Sequence, residues 1–330
     1  MEPRCTIITS PLCDSVYQRN QDNIAIIPIV VLYTRPVNKI KIKAFRPDYD
    51  SDWVELILNY STAKGNISVP AGDWYRIHMQ AFDENGGIVE EDTSIQVGVG
   101  EVFVTCGQSN SLNFGDTLTK SQSLDVVSFH PENHTWQLCA DPQPTEYGPE
   151  VDMGNGGSIW PTVGDFLAKE LHMPVGFYST GWGGAGISEF GSDMVKYRRL
   201  LNALEFFGDN GLRAVLWHQG ETDAIYNPDT QYYKNLLTDL IYRSRKDAGW
   251  EVSWVIAQAA YHPKAAREDE KLIRIAQEMC CNGKDILPGP NSDTLQGDYR
   301  ILNSAHFTLK GLKAHGMLWA AELKKLFYFV

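Results

Sequence analysis

The stretch Glu101-Val102-Phe103-Val104-Thr105-Cys106-Gly107-Gln108-Ser109-Asn110 decides the fold. Its first six residues are a short, mostly apolar run of the kind that a strand buried on both faces of a parallel sheet requires. The run breaks into a polar turn, so Ser109 stands where strand meets loop at the carboxyl edge of the sheet, a place that can present a hydroxyl to a ligand. Upstream the pattern has period two. Ile40, Ile42 and Ala44 alternate with Lys39, Lys41 and Lys43, and Tyr75, Ile77, Met79 and Ala81 alternate with Arg76, His78 and Gln80. Ile95, Val97 and Val99 repeat the alternation after the turn Glu84-Asn85-Gly86-Gly87. Short strands joined by turn signals predict an antiparallel, sandwich-like unit over residues 1–100.

Downstream of Gly100 the period becomes 3.6, which is the signature of βα units, and a second unit is expected over 101–330. Val175 to Ser179, Arg213 to His218 and Val252 to Gln258 are its further strands. Tyr197, Leu200, Leu201 and Leu204 form one helical stripe, and Tyr233, Leu236, Leu237, Leu240 and Ile241 a second. Leu272, Ile275, Ala276 and Met279 form a third, and Leu309 to Phe327 reads as a closing helix. Asp116 to Gly157 is polar and weakly periodic, as loops over a site are.

The 330 residues carry 41 acidic and 29 basic side chains, a formal charge of −12, so the field repels phosphate backbones and nucleic acid is not expected as a partner. The longest apolar run, Ile24 to Tyr33, is well short of the roughly 20 residues of a membrane span, and no membrane insertion is expected. The opening MEPRCTIITSPLC lacks the pattern of a secretory signal, which leaves the compartment undetermined. The six cysteines show no paired spacing for zinc and read mainly as buried free thiols, so neither a metal nor a cofactor is expected.

A serine hydroxyl becomes a nucleophile only when a base takes its proton, so Ser109 needs a histidine close in space. His306, in a loop just before the closing helix, is the best of the eight histidines. His315 lies within that helix and reads as structural, while His130, His134, His172 and His262 lack a neighbouring motif, although His130 or His134 can line the site from the long loop. Trp217-His218-Gln219-Gly220-Glu221-Thr222-Asp223 follows the strand ending at Leu216, at the same sheet edge. There Gln219 offers an amide to an oxyanion and Glu221 a carboxylate to fix loops through backbone N–H groups. Gly181-Trp182-Gly183-Gly184-Ala185-Gly186-Ile187 allows close approach of a backbone N–H, but it lacks the spacing of a P-loop or a dinucleotide fingerprint.

These four segments, in this order, resemble the SGNH (GDSL-like) hydrolases, and within them the sialate O-acetylesterase and carbohydrate acetylesterase group. The resemblance is good over about residues 101 to 330. It implies a three-layer α/β/α parallel sheet, here preceded by the smaller antiparallel β-sandwich-like domain. It also implies a serine esterase acting on O-acetylated carbohydrate, sialic acid or a related glycan. An acetylxylan-type substrate, or a carbohydrate-binding protein with a decayed site, are the alternatives. The implied catalytic residues are Ser109 and His306, with backbone N–H groups of Ser109 and Gly183 or Gly184 and the Gln219 side chain around the oxyanion. Gln108, Asn110, Trp182 and Glu221 are the implied substrate-binding residues. Many members carry Asp three residues before the histidine, and Asn303 stands there; Asp293 and Asp298 are the nearest acids. Ser111 replaces a customary Met and is expected to alter the pocket wall, and Trp160, Trp182 and Phe190 are candidate platforms for a sugar ring.

Overall fold

The computed structural model describes residues 6–146 and 153–328. Its N-terminal strands are β1 (Thr6–Ser10), β2 (Ser15–Gln18), β3 (Ile24–Tyr33), β4 (Lys39–Arg46), the short β5 (Tyr49–Asp50), β6 (Val54–Glu55) and β7 (Ile57–Asn59), then β8 (Thr62–Pro70) and β9 (Trp74–Phe82). One layer has the order β1-β3-β8-β7. The other is built on β4 and β9 together with the first half of β10 (Ile88–Gly107), with β2 alongside. The alternation read from the sequence sets the facing: Ile40, Ile42, Ala44, Ile77, Met79 and Ala81 are fully buried against Ile27, Val31 and Ile67 of the opposite layer. Each such large apolar side chain contributes about 1.5–3 kcal/mol when withdrawn from water.

β10 does not stop where the pattern changes. Ile88 to Gly98 pairs antiparallel with β9, and Glu101 to Gly107 continues as the centre of the parallel sheet. Around it stand β11 (Val126–His130), β12 (Thr135–Leu138), β13 (Val175–Ser179), β14 (Ala214–His218), β15 (Trp254–Gln258) and β16 (Ile286–Asn291), in the order β12-β11-β13-β10-β14-β15-β16. Helices α1 (Trp160–Leu171), α2 (Val195–Phe207), the short α3 (Glu221–Tyr226), α4 (Thr230–Ala248), α5 (Arg267–Cys280) and α6 (Leu309–Tyr328) complete the fold. α2, α4 and α5 cover one face, α1 and α6 the other, which makes three layers.

Some expectations need correction. The long loop from Asp116 contains β11 and β12, whose shortness hid them, and residues 147–152 within it lie outside the description. β16 was not foreseen because Pro288, Gly289 and Pro290 interrupt it, as an edge strand permits. α5 buries Glu270, Ile273, Ala276, Gln277 and Cys280, and leaves Leu272, Ile275 and Met279 exposed. The predicted stripe was therefore off by about one position, because polar Gln277 is drawn inward to bond Ala259 and the carbonyl of Gln219. Cys13 is an exposed thiol and Cys5 lies outside the described residues, while Cys106, Cys139 and Cys280 are buried and unbridged.

Where β10 enters the parallel sheet, Glu101 is fully buried. Arg19 Nε and Arg213 Nε each lie 2.7 Å from its carboxylate, and Gln18 Nε2 donates to it at 3.0 Å. Glu101→Ala leaves two cations facing a buried void and is expected to lower unfolding free energy by about 3–5 kcal/mol. Urea denaturation reads this, and a loss below about 1 kcal/mol contradicts the account.

His315 of α6 is also fully buried, its ring 4.5 Å from that of Phe307 and 4.8 Å from that of His218. Burial, with His218 and Arg300 nearby, holds it well below the usual histidine range, so it folds neutral. The unfolded chain protonates this histidine below about pH 6.5, the folded chain only at lower pH, so stability falls as the medium is acidified through that window. His315→Gln is expected to flatten the stability curve below pH 6.5 by about 1.4 kcal/mol per pH unit, and an unchanged slope contradicts it.

Candidate active site

Four strand ends build the site. β10 runs out at Gly107, whose φ of +130° and whose contact with the next strand exclude a side chain: a Cβ there would lie 2.1 Å from the His218 carbonyl oxygen. The chain can therefore turn tightly against β14. Gln108 N–H donates to the His218 carbonyl at 2.9 Å, and a single 3₁₀ turn, Ser109–Ser111, follows. Ser109 sits at the rim of a cleft of about 350 Å³. β13 feeds the glycine loop, β14 the Gln219 segment, and β15 the loop that carries His262.

His306 reaches the Ser109 turn from the loop before α6. Its Nε2 lies 3.0 Å from Ser109 Oγ, and the Phe114 ring packs 5.2 Å from its own. The loop is clamped from below. Ala305, the residue before, offers its carbonyl to Asn110 Nδ2 at 3.1 Å and to Arg300 Nη1, and Asn110 Nδ2 also donates to Glu221 Oε1 at 2.7 Å. Arg300 is buried, with its other nitrogens on the Leu295 and Ser292 carbonyls at 2.9 Å and its guanidinium 3.8 Å from the Phe307 ring centre. Burial lowers its pKa to about 10, which still leaves a cation at neutral pH. Burial acts to raise the Glu221 carboxyl, but the neighbouring His218 imidazole, 3.4 Å away, and the Asn110 amide outweigh it and hold Glu221 at about 2. A buried cation and a buried anion thus grip the histidine loop through one carbonyl and one amide.

The glycine loop brings Gly184 to the cleft with φ +68°, a conformation that favours glycine, and with open space where a side chain would stand. Among the described residues, no group accepts from the N–H of Ser109, Gly183 or Gly184. Backbone donors without acceptors beside a nucleophile are what a developing oxyanion needs.

Most of the other expected side chains are taken up by hydrogen bonds or packing inside the protein. Gln219 is fully buried, and its Nε2 donates to Asp223 Oδ2 at 2.6 Å, Ala185 O at 3.0 Å and Gln108 Oε1 at 3.1 Å, so it has no donor left for an oxyanion. Its oxygen accepts from Tyr233. Gln108 lines the cleft, but its side-chain oxygen is taken by Gly220 and Thr222 N–H at 3.2 Å, where it caps α3. Asn110 and Glu221 are occupied by each other and by the histidine loop, and Glu221 accepts that side-chain amide where loop N–H groups were expected. Trp182 is buried between Lys196 and Arg199, 4.5 and 4.7 Å from its ring, and Trp160 and Phe190 are core residues. Ser111 is fully buried, donating to the Gln108 carbonyl, and is no part of the cleft wall.

Asn303 is likewise displaced from its expected role. It lies exposed in a turn with φ +57°, and its side chain makes no hydrogen bond with His306 or any other described residue. Asp293 is bound to Arg274 and the Ala260 and Tyr261 N–H groups, and Asp298 is exposed beside Lys310. Neither bonds His306. His130 and His134 lie at β11 and its turn, away from the cleft. The residues that sequence reasoning missed are Phe114, Thr222, Ile225, Tyr226, His262 and Lys264, which line the cleft. Thr222, Ile225 and Tyr226 lie on α3, just past the Gln219-Gly220-Glu221 segment, and Phe114, His262 and Lys264 lie in loops that carry no recurring motif. No cluster of metal-ligating side chains occurs among the described residues.

The fold has solved counterparts. It is similar to a carbohydrate acetylesterase of Xanthomonas citri, at 16% identity and TM-score 0.62 over 98% of this chain and 75% of that one. It is also similar to an Arabidopsis thaliana protein, at 17% identity and TM-score 0.55 over 69% of this chain and 99% of that one. At such identities the likeness establishes the SGNH-type fold and nothing finer. Among curated proteins no sequence matches this chain significantly. The family model for carbohydrate esterases described as sialic acid-specific acetylesterases matches residues 99–323, the parallel sheet and every site residue named above. The chain therefore belongs to the sialic acid-specific acetylesterase family of carbohydrate esterases and is a carboxylic ester hydrolase.

Proposed function

We propose that this protein is a serine esterase that removes O-acetyl groups from the hydroxyls of a sugar, sialic acid or a related acetylated glycan, through an acetyl-enzyme on Ser109. The observation that carries the proposal is His306 Nε2 at 3.0 Å from Ser109 Oγ, in a cleft where the Ser109 and Gly184 N–H groups have no described acceptor. His306 takes the hydroxyl proton as Ser109 Oγ attacks the acetyl carbonyl carbon. The carbonyl oxygen becomes an oxyanion and is held by the two backbone N–H groups. As the tetrahedral intermediate collapses, His306 returns the proton to the departing sugar oxygen. Water, deprotonated by the same imidazole, then attacks the acetyl-enzyme and releases acetate and free Ser109.

In this proposal His306 is oriented without Asn303. The clamp on the Ala305 carbonyl holds its backbone and the Phe114 ring packs against its imidazole, and Asn303 takes part in neither contact. The cleft mouth holds Lys264, an exposed cation, and an exposed Tyr226 ring, a pairing suited to an acidic sugar with an apolar face. An acetylxylan fragment is the competing substrate.

With p-nitrophenyl acetate, Ser109→Ala and His306→Ala are each expected to lower kcat by at least about 10⁴-fold while folding normally. Asn303→Asp, an exposed and screened charge, is expected to stay within about threefold of wild type. Substantial turnover by either alanine variant sinks the assignment, and a large gain from Asn303→Asp would show that an acid at 303 does reach the histidine.

A further inference from the structure

Beside the catalytic cleft, and sharing His262 with it, lies a second cavity of about 610 Å³. Cavities of about 300–1,000 Å³ are of the size that holds small organic ligands. This one lies between the loop that follows β15 and the segment that follows β16, with the first turns of α5 as a wall. Its floor is fixed by charge. Asp293 pairs with Arg274 and accepts the Ala260 and Tyr261 N–H groups, at 3.1 and 3.0 Å. Glu270 lies 3.8 Å from Arg274 and accepts the His262 N–H at 3.3 Å.

Two carboxylates and the guanidiniums of Arg274 and Arg267 leave the lining without net charge, so it has no preference for an ion. Two polar groups stay uncommitted: neither the Tyr261 hydroxyl nor the Arg267 guanidinium hydrogen-bonds to any described residue. Tyr261 adds an aromatic ring, and Gln296, whose nitrogen donates to the Asp293 carbonyl, keeps an amide oxygen as acceptor. An apolar ring face among neutralised donors and acceptors matches a pyranose, whose C–H face is apolar and whose rim is hydroxyl.

We propose that this cavity is a subsite for a second, neutral sugar ring, so that the acetylated sugar in the catalytic cleft is presented as part of an oligosaccharide passing over His262. The proposal rests on the esterase reading above and deepens it from a sugar ester to a glycan chain. Tyr261 and Arg267 are its specificity-determining residues. They hold the neighbouring ring and so act on KM more than on the chemistry.

The test compares three acetyl esters: p-nitrophenyl acetate, which fills only the catalytic cleft, O-acetyl-N-acetylneuraminic acid as the monosaccharide, and the same acetylated residue joined to lactose as the trisaccharide. The wild type is expected to show about tenfold higher kcat/KM on the trisaccharide than on the monosaccharide, through KM, the worth of one hydrogen bond to a charged group. Arg267→Ala, and the conservative Tyr261→Phe that deletes only an oxygen, are each expected to remove most of that gain. Turnover of p-nitrophenyl acetate with equal kcat/KM on the two sugars overturns the subsite alone, as does a gain that survives in both variants. A wild type inert on all three esters overturns the esterase reading and the subsite with it.

Discussion

One strand sets the frame for everything else. β10 begins as an antiparallel partner of β9 and ends as the central strand of the parallel sheet, so both halves of the molecule share a single run of backbone hydrogen bonds. That continuity leaves no linker at residue 100. It also aims the turn at Gly107 in a direction fixed by both sheets, because a rigid strand transmits its orientation to the residue that follows it. The buried Glu101, paired to Arg19 from the N-terminal part and to Arg213 just before β14, pins the crossing point. The turn that carries Ser109 is therefore backed by both sheets, and its hydroxyl stands 3.0 Å from His306 Nε2.

The histidine is positioned by a different device. Polar side chains that would ordinarily face a ligand are turned inward to hold loops together: Gln108 and Gln219 tie β10, β14 and the glycine loop, while Asn110 and Glu221 tie the nucleophile turn to the histidine loop. Arg300 completes the grip from the other side. Such a network is rigid because every member has partners in a low-dielectric setting, where losing one costs more than on the surface. It also explains why a neutral, exposed Asn303 is compatible with a well-placed imidazole. What faces the cleft is the largely buried Ser109 with the half-buried His306 beside it, bordered by Gly184 and by a rim of residues from α3 and the loops.

Much of this was legible in the residues. The period-two alternation around Ile40 and Tyr75 predicts which side chains are buried, and β13 falls on Val175–Ser179 as read. The juxtaposition of Ser109 and His306, 197 positions apart, follows from strand-end placement and from the family resemblance. What failed did so for physical reasons. A residue type at a strand end gives its chemistry but not its direction, so Gln219 and Trp182 were read as facing the cleft when packing turns them inward. The phase of α5 is misread because large apolar Leu272, Ile275 and Met279 dominate the pattern, whereas the helix packs through Ile273, Ala276 and Cys280 together with polar Glu270 and Gln277. The cleft wall is made of the short α3, from Thr222 to Tyr226, and of loop positions around His262, and their meaning depends on tertiary placement.

The central claim is that Ser109 is the nucleophile and that His306 activates it. Its most direct measurement is covalent trapping with diethyl p-nitrophenyl phosphate, an organophosphate that acylating serines attack, followed by intact mass and peptide mapping. The account predicts one diethylphosphoryl group per chain, on Ser109, with activity lost in step with labelling and with labelling greatly slowed in His306→Ala. Loss of activity with the label on another residue, or full activity after Ser109 is modified, would contradict it.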